Sequence, residues 1–146
     1  MARRIGLAAI AVSMTIPAWG AASMARADVG DLVVDGSSAA CSDTAAGAGT
    51  AAVPFCRLSA AFEAVQPGQT VLVYGSMYDD PRPNLGRSGT PGAPITIKSA
   101  TGGLLFLSGT TINVSKPKST VHDVVFDHIS PLSFDLSGNS AVTVEH

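Results

Sequence analysis

The sequence has little charge, few aromatic side chains and only two cysteines. Charged residues make up 14% of the chain, and the formal net charge is −2. That balance excludes the basic footprint that nucleic-acid binding requires, and it argues against an acidic disordered tail. Aromatic residues amount to 5%. With the core candidates set aside, only Tyr74 and Tyr78 remain, too few for a sugar-stacking platform. Neither cysteine has a Cys or His near enough in sequence to complete a tetrahedral zinc set. No helical pattern recurs after Val65, which excludes a fold built on crossover helices. What the chain does have is Ala, Gly, Ser, Thr and Val. These small and β-branched residues suit closely stacked strands better than a helical bundle.

The N-terminus reads as an export signal. Met1 to Arg4 is a basic n-region, Ile5 to Trp19 is an apolar h-region broken by Pro17, and Ala25-Arg26-Ala27 is an A-x-A cleavage site. Arg3-Arg4 are ordinary n-region cations, because their flanks do not make a twin-arginine signal. The apolar run is too short and too broken to span a bilayer comfortably. The expectation is a signal peptide over 1–27, a mature chain from Asp28, a secreted or cell-surface destination, and no membrane partner after cleavage. In an oxidising compartment Cys41 and Cys56 are expected to pair. Closing a loop of that size is worth roughly 3 kcal/mol in the chain-entropy account.

Residues 28–56 carry one short strand, Leu32-Val33-Val34, and a Gly/Ser/Ala loop between the cysteines. Residues 57–146 carry everything else. Leu58, Ala61, Phe62 and Val65 fall at helical spacing and Pro67-Gly68 stops them, which predicts a short helix with one apolar stripe. Strands are predicted at Thr70–Tyr74, Ile95–Ile97, Leu104–Leu107, Thr111–Val114, Val121–Ile129, Phe134–Leu136 and Val142–Val144, with a loop from Gly75 to Pro94. A sandwich would need hairpin dipeptides between strands, and the single Asp35-Gly36 comes too early. Spacings from Val71 to Ile95 and from Val124 to Val142 suit coils of a solenoid.

From Gln66 to Ala100 the chain resembles the N-terminal cap and first coil of secreted right-handed parallel β-helix proteins, the pectate-lyase-like superfamily. The resemblance rests on Pro54-Phe55, Gln66-Pro67-Gly68-Gln69-Thr70, Val71 to Tyr74, Gly75-Ser76-Met77-Tyr78, and Gly89-Thr90-Pro91-Gly92-Ala93-Pro94-Ile95-Thr96-Ile97. Gln69 stands where the family has Asp, and Tyr74-Gly75-Ser76 replaces the usual P-G-T lead into Tyr78. The implied fold is all-β, a right-handed parallel β-helix with a short capping helix. Since family members continue for further coils, the resemblance also implies truncation at His146.

The resemblance implies an action on acidic polysaccharide, as a lyase or a hydrolase, and the competing readings are a non-catalytic carbohydrate-binding solenoid or an inactive fragment. No residue matches a catalytic motif of the family. Asp79 and Asp80, with Asn84 nearby, are candidate oxygen ligands for calcium; they serve equally as turn residues that bond their own backbone. Arg82, Arg87 and Lys98 are the cations near this acidic loop. His122 and His128 are about 20 Å apart along an extended strand, too far to share an ion. Asp123 and Asp127 are about 13 Å apart on the same basis, so a closer carboxylate partner has to come from another rung, at Asp135 or Glu145.

Overall fold

The computed structural model describes residues 30–75, 79–80, 82–139 and 141–145. The expected signal peptide over 1–27, Tyr78 and His146 lie outside them. The elements are β1 (Leu32–Asp35), α1 (Leu58–Ala64), β2 (Thr70–Tyr74), β3 (Asn84–Leu85), β4 (Ile95–Ser99), β5 (Leu105–Val114), β6 (Val124–Asp127), β7 (Ile129–Asp135) and β8 (Val142–Glu145). They form two sheets, ordered β1-β2-β4-β6-β8 and β3-β5-β7. Every strand pairing in both is parallel. From β2 to β8 the chain visits the two sheets in turn, the order a coil follows.

The period-2 pattern decides which side chains are buried. In the five-stranded sheet Val71, Ile97, Phe126 and Val144 occupy successive register positions. The first three are fully buried. Ile95 and Val124 make a second buried column. From the three-stranded sheet come Leu85, Leu107, Ile112, Val114 and Ile129. The rings of Phe126 and Phe134, 4.9 Å apart and tilted, join the sheets. The outward columns carry Thr70, Thr96, Val125 and Thr143, and beside them Leu72, Lys98, Asp127 and Glu145.

The expected helix is present, with Leu58, Ala61 and Phe62 buried and Val65 closing it. Seven residues are too few for a stable isolated helix, and α1 docks on β1 and β3. Arg57, at its N-cap, makes no side-chain cap. Asp80 supplies one from the far loop, where its Oδ2 accepts from the Ser59 N–H at 2.7 Å. Asp43 accepts from the Cys56 and Arg57 amides at 2.8 and 3.2 Å and from Arg57 Nε at 2.6 Å. Burial alone would raise the Asp43 carboxyl, but these hydrogen bonds outweigh it and hold the group below its ordinary value. Cys41 and Cys56 are disulfide-bonded, as expected.

Several strand boundaries differ from the sequence reading. The Gly75–Pro94 loop contains β3, two residues long, paired through Asn84 to Asn113 and Leu85 to Val114. Leu105–Val114 is one strand with a bulge, not two strands: β5 advances four positions, from Leu107 to Thr111, while β7 advances two, from Pro131 to Ser133. Gly109, at φ 76°, takes the left-handed conformation within the bulge. Conversely, Val121–Ile129 is not one strand. His128, at φ 56°, ends β6 and starts β7 on the other sheet. Gly89 has a packing role as well, because a Cβ there would meet the Asp123 carbonyl at 2.3 Å. The adjacent rung leaves room only for glycine.

Gln69 braces the turn before β2 with its side chain. Its Oε1 accepts from the Gln66 N–H at 2.7 Å, and its Nε2 donates to the Gly30 carbonyl at 2.9 Å. An aspartate could close the turn but has no N–H to donate to Gly30.

Candidate functional site

Parallel register brings residues from distant sequence positions side by side, about 4.8 Å apart across the sheet. On the outer face of the five-stranded sheet it places Asp127 between Lys98 and Glu145. Lys98 Nζ lies 3.0 Å from Asp127 Oδ2. The other oxygen, Oδ1, accepts from His128 Nδ1. Because a carboxylate can only accept, the imidazole proton sits on Nδ1, leaving the Nε2 lone pair as an acceptor. The His128 hydrogen bond first, and then Lys98, hold the Asp127 carboxyl below its usual range. The His128 side chain is 37% exposed, so a ligand can reach it.

The backbone sets this geometry. The His128 N–H donates to the Glu145 carbonyl at 2.9 Å, and its own carbonyl accepts from the Leu105 N–H at 2.8 Å. Tied on both sides, His128 holds a left-handed conformation that costs a non-glycine residue about 1–2 kcal/mol. The turn also directs the ring back onto the preceding residue, Asp127. A second imidazole–carboxylate pair lies at the other end of β6, where His122 Nδ1 is 2.8 Å from Asp123 Oδ2. The two histidines therefore serve separate carboxylates.

Among the carboxylates considered from sequence, Glu145 is the one that the register sets beside Asp127. Asp135 ends β7 on the other sheet, where its carboxylate is bonded by Ser137. Arg82 and Arg87 flank β3 and line a cleft with Lys116, away from Lys98. Asp79 is exposed, and the Asp80 carboxylate is engaged at the start of α1. Calcium takes about six to eight oxygen ligands. Among the described residues no group of three or more His, Cys, Asp or Glu side chains is placed to hold a metal ion.

Sequence reasoning missed two features. The Asp127–His128 pair was invisible because both residues were taken as one continuous strand, in which neighbours point to opposite faces. Phe106 was counted with the core, yet it is 61% exposed on the outer face of β5. With Leu132 it borders a shallow hollow of about 290 Å³ that includes Ser108 and Ser130. Tyr74 is also exposed, at 40%. Among the described residues no helix is long and apolar enough to cross a membrane. Comparisons with family models, curated proteins and solved structures found no match to this chain.

Proposed function

We propose that residues 28–146 are the N-terminal part of a secreted right-handed parallel β-helix protein that acts on acidic polysaccharide. The fold reading is supported by the alternation of the chain between two parallel sheets and by the near-universal right hand of connections between parallel strands. Export is supported by the Cys41–Cys56 disulfide together with the n-region, h-region and A-x-A sequence before Asp28.

The observation that carries the chemistry is the Asp127–His128 pair beside Lys98. Asp127 fixes the tautomer, and His128 Nε2 is the general base. In a β-elimination it takes the C5 proton of a uronate; the C5–H electrons form the C4=C5 bond, and the C4–O bond breaks toward the leaving sugar. Proton return to that oxygen completes the balance. In hydrolysis the same nitrogen takes a proton from water, whose oxygen attacks C1 as the C1–O bond to the leaving sugar breaks, and a proton returns to that sugar's oxygen.

One observation favours a second reading, non-catalytic binding. The Lys98 charge is already held by Asp127, and Glu145 adds a further negative charge to the same column. This face therefore offers no unpaired cation to a uronate. Incubation with polygalacturonate separates the readings. Ultraviolet absorbance of the unsaturated product, lost in His128→Ala, supports elimination; new reducing ends without that absorbance support hydrolysis. Retention on the polymer without products supports binding. The absence of both products and retention overturns the proposal.

A further inference from the structure

A second region has the charge that the sheet face lacks. A cleft of about 740 Å³ lies between α1 and the two ends of β3, lined by Ser59, Glu63, Arg82, Asn84, Arg87 and Lys116. Its size falls within the range of small-molecule sites, about 300–1,000 Å³. Three of these six side chains are cationic and one is anionic, in a chain whose net charge is −2. Arg82, Arg87 and Lys116 are all exposed, and none has an ion-pair partner within 4.0 Å among the described residues. Asp135 senses the charge of Arg82, but its carboxylate is bonded to Ser137.

The arrangement follows from register. Leu85 pairs with Val114, and stacking continues one step further: the Ser115 N–H donates to the Leu85 carbonyl at 3.2 Å, and Gly86 lies against the Ser115 carbonyl. Arg87 and Lys116 come next on their respective coils, two residues beyond the paired positions. Both line the same cleft, and like charges gathered there repel. An anion between them reverses the sign of that term. Asn84 and Ser115 hold each other across the same step, with Asn84 Nδ2 donating to the Ser115 carbonyl and Ser115 Oγ donating to Asn84 Oδ1 at 2.8 Å. The cations are therefore carried on a braced wall.

We infer that this cleft is a binding subsite for the carboxylate groups of an acidic polysaccharide, with Arg82, Arg87 and Lys116 as its cations. Two guanidinium groups match the planar carboxylate fork, and the ammonium adds a point charge. The Ser59 and Asn84 side chains border the same space and suit sugar hydroxyls. Glu63 opposes the ligand and limits affinity. This inference rests on the acidic-polysaccharide reading, and it places recognition at the capping end, apart from His128.

The test is retardation of the exported protein in native gels containing polygalacturonate, with neutral dextran gels as the control. The double variant Arg87→Gln/Lys116→Gln is expected to bind at least about tenfold more weakly, from the loss of two charge-assisted contacts. Glu63→Gln is expected to bind more tightly. All three side chains are substantially exposed, and thermal melts check that each variant folds. Independently of any variant, titration with trigalacturonate is expected to shift the amide resonances around Asn84, Gly86 and Lys116. Wild-type retardation that survives in the double variant, or shifts confined to β4 and β6, overturns the cleft while leaving the polysaccharide reading intact. No retardation of the wild type in either gel overturns both.

Discussion

The two ends of this molecule gather charged residues with opposite outcomes. On the five-stranded sheet, register sets Lys98 against Asp127, and the charges satisfy each other at 3.0 Å. Beyond β3, Arg87 and Lys116 line one cleft with Arg82, and no carboxylate partner lies within ion-pair distance among the described residues. The sheet is also held differently from the cap. Columns of Val, Ile and Phe fill the sheet interior, whereas a disulfide and two borrowed carboxylates, Asp43 and Asp80, secure the cap. A parallel coil brings residues together whatever their charge. Paired charges there serve the fold, and the unpaired charges are the ones the proposed subsite uses.

The largest effect is expected from breaking the sheet side of this contrast. Phe126→Ala removes the fully buried ring that touches Phe134, and it should cost about 3–5 kcal/mol in urea unfolding. A loss below about 1 kcal/mol would contradict the interior column. Next comes the crosslink. Replacing Cys41 and Cys56 together with Ser should cost roughly 3 kcal/mol. Hydrogen-exchange protection should fall first around α1 and β1, with β4 and β6 holding longer. Uniform loss across both sheets would show that the cap is no separate unit.

Asp80→Ala should cost about 1 kcal/mol, the usual value of an N-terminal helix cap, read as a lower melting temperature. The cap should also be acid-sensitive. The Asp43 carboxyl has a folded-state value below its unfolded 3.8. Its contribution is therefore present above that pH and lost as pH falls through the lowered value. Asp43→Asn should flatten this part of the acid limb, and an unchanged limb would remove Asp43 from the account. The smallest effect is the most diagnostic for charge. Lys98→Met should cost about 0.2–1 kcal/mol, the range of exposed ion pairs, whereas Arg87→Met should be neutral or slightly stabilising. A larger loss at Arg87 would mean that its charge holds the fold.

Much of the architecture was legible because the period-2 burial pattern is strong. Thr70–Tyr74 and the stripe of Leu58, Ala61, Phe62 and Val65 could be placed from side-chain type alone. The bulge at Gly109 was not legible, since glycine between apolar runs also reads as a turn. Nor was the corner at His128: histidine only weakly favours a left-handed backbone, and the hydrogen bonds to the Glu145 carbonyl and from the Leu105 N–H hold it there. The same difficulty hid both charge clusters. Lys98 is 29 positions from Asp127, and Arg87 is 29 from Lys116. Coil length varies, with Phe126 only 18 positions from its next partner, Val144. A fixed period cannot find pairs in such a chain. The capping role of Asp80 was hidden in the same way, because its partner, the Ser59 amide, lies 21 residues away.

The most direct test of the account compares one polymer in two charge states. Retardation of the exported protein is measured in gels of de-esterified polygalacturonate and of the same polymer fully methyl-esterified, across a range of salt. Recognition of carboxylates predicts strong retardation by the acid form, little by the ester, and relief of the difference as salt screens the cleft cations. Equal retardation by both forms, or a difference that salt leaves untouched, would contradict it.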